Sequence, residues 1–285
     1  MMTTRVFLIG WVLFIAESIG FADDSKPVKK EWDNPRGYKI MKPDNLDSEK
    51  NYPLIISLHG FTSNGAGQEG FFPLRELAEK HGFFYCYPSG LDRSWNATEA
   101  CCDWRNRNDD STYLRELILW AQKTLNIDKK RVYFTGLSNG GFMSYRMATD
   151  HADLITAIAP FAGVGYKKWP KNPSESVSVL HIHGTNDRTI KWDGGGILAR
   201  KYPSVEENFE MWRKFNQCEK KQPVTGQKID LARRVEGKET IITSFANKDG
   251  SVLTELWRTE NGGHVTPPTK EARERIVKWL LDRSK

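Results

Sequence analysis

Past residue 22 the 285-residue chain contains no apolar run near the ~18 residues that a membrane span needs. It also has no internal repeat, no low-complexity tract and no Pro/Gly linker long enough to divide it. A fibrous array and wholesale disorder are excluded, and one domain is expected. Cysteine is sparse: Cys86, Cys101, Cys102 and Cys218. No Cys-x-x-Cys and no His pair at ligand spacing occurs, so neither a metal site nor a cofactor is expected. The net charge is +6, but Lys and Arg are scattered and no basic stretch is interleaved with aromatics. That pattern fits a solvated basic surface and gives no reason to expect a nucleic-acid partner.

The first 22 residues are different. Arg5 supplies a positive flank, Val6 to Ala16 is nearly all apolar, and Gly20 and Ala22 place small residues where a signal peptidase cleaves. Residues 1–22 therefore read as a secretory signal and residues 23–285 as the mature domain, secreted or periplasmic and free of the membrane once cleaved. In an exported protein four cysteines favour two disulfides. Four cysteines allow three pairings. Joining the neighbours Cys101 and Cys102 demands a strained ring, so a pairing that splits them is expected, with buried free thiols as the alternative. Asn96-Ala-Thr98 is a glycosylation sequon. Oligomeric state is not legible.

Buried-strand runs alternate with amphipathic segments. Tyr52 to His59, Phe83 to Tyr87, Arg131 to Thr135, Val177 to Ile182 and Ser251 to Thr259 read as strands. Helices are predicted from Pro73 to about Gly82, after Asp109-Asp110, from Val205 to Asn216 and from about Thr269 to Arg283. The alternation predicts an α/β fold, a mostly parallel central sheet with helices on both faces. Ser89 to Asn108 and Gly163 to Ser176 read as long aromatic-rich loops, a type that often carries function.

Gly136-Leu137-Ser138-Asn139-Gly140 fits G-x-S-x-G between a strand and a helix-compatible run. A strand that turns sharply into a helix needs glycine on either side, and the turn lifts the serine hydroxyl above the sheet edge. A serine hydroxyl needs a base to become nucleophilic. Of six histidines only His264 lies far downstream and beyond the last strand. Between them the turn after Val177 to Ile182 offers Asp187, with Asp193 in reserve, to orient the imidazole. The backbone N–H of Asn139, after the nucleophile, and of Phe61, in the loop His59-Gly60-Phe61-Thr62, are the candidate oxyanion donors. His59 is read as ordering that loop through a buried hydrogen bond.

The sequence resembles the secreted polyhydroxybutyrate-depolymerase and feruloyl-esterase branch of the α/β-hydrolase fold over about residues 35 to 281. The resemblance rests on Leu58-His-Gly-Phe-Thr-Ser-Asn64, Trp95-Asn96 with Cys101-Cys102-Asp103, Asn126-Ile-Asp128 before Arg131-Val-Tyr, and Gly136-Leu-Ser-Asn-Gly-Gly-Phe-Met143. It continues in His183-Gly-Thr-Asn-Asp187 with Gly194-Gly195 beyond, Asn216-Gln-Cys218 and Gly262-Gly-His264. It implies hydrolysis of carboxylic esters through Ser138, Asp187 and His264 by way of an acyl-enzyme. Feruloyl or acetyl esters of plant polymers, or short hydroxyalkanoate polyesters, are the substrates it suggests. Trp95, Trp104, Trp169 and Trp192 flank the mouth in sequence, and Trp95 and Trp192 are the leading candidates for substrate contact. Two departures stand out. Val265-Thr-Pro-Pro follows the histidine where the family carries Trp-Pro, and the late cysteine that would partner Cys218 is missing. A peptidase of the same fold and a catalytically silent polymer-binding protein are the competing readings.

Overall fold

A computed structural model describes residues 36, 40–44, 46–102, 108–198 and 200–285. The signal assignment at residues 1–22 lies outside them, as do Asp103 and Trp104.

The first half of the chain builds β1 (Ile40–Met41), β2 (Tyr52–Leu58), α1 (Gly65–Phe71), α2 (Arg75–His81), β3 (Phe84–Cys86), α3 (Asp110–Thr124), β4 (Ile127–Leu137) and α4 (Asn139–Asp150). Then come β5 (Ala157–Phe161), β6 (Ser178–Gly184), the hairpin β7 (Gly195–Ile197) and β8 (Arg200–Tyr202), and α5 (Val205–Phe215). β9 (Lys220–Lys221), β10 (Lys228–Ile229), β11 (Thr240–Ala246), β12 (Leu253–Thr259) and α6 (Lys270–Leu281) complete it. One sheet runs in the order β1-β3-β2-β4-β5-β6-β12-β11-β10, with β9 also on β11. From β3 to β12 every pairing is parallel; β1 and the strands beyond β12 are antiparallel.

The parallel centre explains the apolar runs. In β2, Leu54, Ile56 and Leu58 face one core with Leu114 and Leu117 of α3, Phe142 of α4 and Trp212 of α5. Ile55 points to the other face, against Leu77 of α2 and Ile276 and Leu280 of α6. A strand covered by helices on both sides has no polar face to alternate with. The helix starts follow the capping residues. Asp109 accepts from Thr112 N–H at 3.0 Å. Ser204 and Glu207 cap α5 reciprocally, and Thr269 accepts from Ala272 N–H at 3.1 Å.

The cysteine expectation is corrected. Cys101 is bonded to its neighbour Cys102, and Cys86 and Cys218 are free, buried thiols. Cys86 lies on β3, whereas Cys218 packs on β12 through Thr254 Oγ1 at 3.5 Å. Four strands separate them. At about 4.8 Å per strand that is more than 20 Å, far beyond the ~7 Å limit for a bridge. Ring strain does not prevent the vicinal bond, because the other two cysteines sit on strands too far apart for both to reach Cys101 and Cys102. The sequon residue Asn96 is buried in the fold, its Nδ2 donating to Asn108 O at 3.0 Å.

Candidate active site

β4 stops at Leu137 and α4 starts at Asn139, so Ser138 alone makes the turn between them. Its backbone stands at φ 54°, ψ −115°, outside the wells open to a residue with a Cβ. Neighbours hold it there: Ser138 N–H donates to Phe161 O at 2.8 Å, and its carbonyl accepts Phe142 N–H at 2.9 Å. The flanking glycines let the backbones meet. A Cβ on Gly136 would lie 2.6 Å from the Gly140 backbone, and one on Gly140 would overlap the Leu58 carbonyl. Strand, helix and the end of β2 therefore converge on the serine.

The acid and the base come from two loops that touch. Gly184, closing β6, packs against Gly262 so tightly that a Cβ there would overlap the Gly262 backbone. Thr185 N–H donates to Thr259 O at 2.9 Å and Asn186 N–H to Gly262 O at 2.9 Å. This contact sets His264 between the two partners. Its Nδ1 is 2.8 Å from Asp187 Oδ2 and its Nε2 is 2.9 Å from Ser138 Oγ. Asp187 is buried, and its Oδ1 accepts Thr189 N–H and Ile190 N–H, both at 2.8 Å. Burial alone would raise its pKa. Hydrogen bonds from His183 and His264 act against burial, and the carboxyl sits well below the usual carboxylate range. Asp193, the reserve acid, is exposed on the turn beyond.

The loop after β2 borders the serine. A Cβ added to Gly60 would come 3.6 Å from Ser138 Cβ, and Phe61 follows it with a 47% exposed side chain. Thr62 takes φ 63°, its N–H donating to Arg93 O at 2.8 Å. His59 braces this loop from beneath. Its Nδ1–H donates to Gly60 O at 2.8 Å, its Nε2 accepts Gly90 N–H at 2.9 Å, and burial lowers its pKa. Two backbone segments thus border the serine, the loop at Gly60, which Phe61 follows, and the first turn of α4 at Asn139.

The asparagine side chain has a role that sequence reasoning missed. Asn139 Oδ1 accepts Trp95 N–H and Nδ2 donates to Trp95 O, both at 2.8 Å. It pins the long loop after β3 to the serine turn. The only available signal was a buried-type position occupied by a side chain able to pair with a peptide unit in both directions. Trp95 itself is a correction. It is fully buried, its Nε1–H donating to His59 O at 3.1 Å, and it has no face to offer a substrate. Its apolar bulk is used under the loop. Trp192 is half-buried and sets its edge against His183 at 6.1 Å between centroids, so it stands beside the acid loop. Trp169 packs into Trp212 and Phe215. Val265, where the family departure fell, is 53% exposed beside His264.

The parallel sheet, the serine turn and the two touching loops define an α/β-hydrolase fold. No family model matches the chain. It is similar to poly(3-hydroxyalkanoate) depolymerase C of Paucimonas lemoignei, 31% identical over 257 residues, covering 82% of this chain and 60% of that protein. It is 26% identical over 241 residues to feruloyl esterase B of Piromyces equi, covering 79% of this chain and 42% of the relative. The chain thus spans about half the length of these curated relatives. They carry the names of the branch that the motifs resemble. Among solved structures, the acetyl xylan esterase from Aspergillus awamori superposes with a TM-score of 0.61 over 87% of this chain and 96% of that one. At 19% identity that likeness concerns the fold.

Proposed function

We propose that the protein is a secreted serine carboxylesterase that works through an acyl-enzyme. The observation that carries this reading is the unbroken hydrogen-bonded series Ser138 Oγ, His264, Asp187, with spacings of 2.9 and 2.8 Å. An ionised carboxylate only accepts, so His264 Nδ1 carries the hydrogen and Nε2 keeps its lone pair for the Ser138 hydroxyl. His264 takes the serine proton as Oγ attacks the ester carbonyl, and returns it to the leaving alcohol. The backbone N–H groups of Asn139 and Phe61 hold the oxyanion. Water, deprotonated by the same imidazole, then releases the acid and frees the serine. The substrates are acyl esters of plant polymers, feruloyl or acetyl, or short hydroxyalkanoate polyesters, a range supported by the names of the relatives. Residues 1–22 act as the signal that exports the domain.

A panel of acetyl, feruloyl and 3-hydroxybutyryl esters tests the reading. The wild type should hydrolyse at least one, and Ser138→Ala should lose about 10³-fold or more. Cleavage of peptides in preference to every ester would favour the same-fold peptidase, and turnover of neither would favour a silent binder.

A further inference from the structure

Behind the site, three polar side chains that the mechanism does not use are completely or almost completely buried: Tyr145 on α4, and His181 and His183 on β6. They are joined end to end. Tyr145 Oη lies 2.6 Å from His181 Nδ1, and His181 Nε2 lies 3.1 Å from His183 Nδ1. His183 Nε2 lies 2.8 Å from Ile190 O and 3.3 Å from Asp187 Oδ2. The two histidines, two residues apart on one strand, project from the same face and their rings stack at 5.3 Å.

The direction of each bond can be worked out. A carbonyl and an ionised carboxylate only accept, so His183 Nε2 carries a hydrogen. Neutral His183 then presents Nδ1 as an acceptor, and His181 must donate from Nε2. That leaves His181 Nδ1 to accept the Tyr145 hydroxyl. Asn208, on α5, is fixed by the Gly165 N–H that its Oδ1 accepts at 3.0 Å, and turns its Nδ2 to the same His181 nitrogen at 3.4 Å. The Tyr145 hydroxyl, the closer donor, takes the single Nδ1 lone pair, and one tautomer at each ring then satisfies the series. Burial, then the neighbouring His183, keep the His181 pKa well below its ordinary value, so His181 stays neutral.

We propose that His183 is a positioning residue of the hydrolytic site: the directed series that starts at Tyr145 sets its Nε2–H between Ile190 O and Asp187 Oδ2, so that the shared hydrogen helps fix the carboxylate oxygen that holds His264. The inference rests on the esterase reading. Asp187 is then held by two backbone N–H groups on Oδ1 and by His264 Nδ1–H on Oδ2, with the shared His183 Nε2–H as a longer contact on Oδ2. The series also closes on itself, because Tyr145 lies two turns into the helix whose first turn follows Ser138. Facing the two rings are Tyr145 from α4, Asn208 from α5, the Trp192 edge and Asp187; facing Asp187 are His183 and His264.

His183→Phe keeps an aromatic ring, slightly larger, and removes the donor, His183→Gln restores a donor, and Tyr145→Phe removes only the far end. Each is assayed on an activated acetate ester across pH, with thermal unfolding as a check on folding. His183→Phe should lower kcat by about 10- to 100-fold, the worth of a hydrogen bond to a charged group, with KM within about threefold. With one donor fewer, the carboxylate attracts the His264 proton more strongly, so the acid limb should move up by about half a pH unit or more. His183→Gln should recover most of the loss, and Tyr145→Phe should move the limb the same way by less. A His183→Phe enzyme with kcat within about threefold of wild type would overturn the proposal. So would a slow enzyme whose acid limb stays in place and whose glutamine variant fares no better, since that outcome assigns His183 to packing. If His183→Phe does not fold, Tyr145→Phe decides: unchanged kcat and an unmoved limb overturn it. A wild type that does not label with a fluorophosphonate at Ser138 would instead count against the esterase reading.

Discussion

Asp187→Asn changes one atom in the site. The two backbone N–H groups of Thr189 and Ile190, each at 2.8 Å, fix the side-chain oxygen at the Oδ1 position. The amide nitrogen then takes the place of Oδ2, where His264 Nδ1 stands at 2.8 Å and His183 Nε2 at 3.3 Å. Donors would face donors. His264 can relieve the clash by moving its hydrogen to Nε2, but that hydrogen then points at Ser138 Oγ and no lone pair is left to take the serine proton. The imidazolium formed in the transition state also loses its counter-charge. Together these effects should lower kcat/KM by about 10³- to 10⁴-fold, or about 4–5.5 kcal/mol. The assay is steady-state hydrolysis of an activated acetate ester at neutral pH, with Asp193→Asn, an exposed position, as the control that keeps its rate. An Asp187→Asn enzyme within about threefold of wild type would refute the reasoning. The same carboxyl bears on acid stability. Its folded-state pKa lies below the unfolded value, so its stabilisation is present above about pH 4 and fades as pH falls through the folded value. Asp187→Asn should therefore flatten the acid side of the stability curve.

Two further predictions follow from backbone and thiols. Ser138→Gly should abolish turnover while raising stability by about 1 kcal/mol, about 2–4 °C in Tm by calorimetry, because glycine tolerates the φ 54° turn; an unchanged or lower Tm would show the turn is unstrained. In non-reducing denaturant two thiols per chain should react with a thiol reagent, those of Cys86 and Cys218, and none in the native protein; two disulfides would give none in either state.

The parallel core was legible because its strands are covered on both faces and so read as apolar runs; β2 and β6 fall within a residue or two of the expected limits. β5 was not, since Ala157-Ile-Ala-Pro-Phe161 is short, rich in alanine and carries a proline that speaks against a central strand. β11 was hidden for another reason. Its buried positions are Thr240, Ile242, Ser244 and Ala246, so burial does not track hydrophobicity, and Thr240 is satisfied by Glu239 and Thr259. α1 begins at Asn64 but contains three glycines, which conceals a helix held by tertiary packing of Gln68 and Phe71. In the site, the positions of Ser138, Asp187 and His264 could be read from chain order and strand ends. Trp95 could not, because an aromatic beside a loop looks the same in sequence whether it faces substrate or fills the space beneath. His183 looked like the end of a strand, and Tyr145, which ends its series through His181, lies 36 residues from His181, a separation no local pattern spans.

The claim on which the account depends is that the Ser138 hydroxyl is made nucleophilic by His264. A fluorophosphonate probe followed by intact-mass and peptide mapping tests it directly. One adduct per chain is expected, located on Ser138, absent from Ser138→Ala and formed far more slowly in His264→Ala. An adduct elsewhere, one that persists in Ser138→Ala, or none in the folded wild type would contradict it.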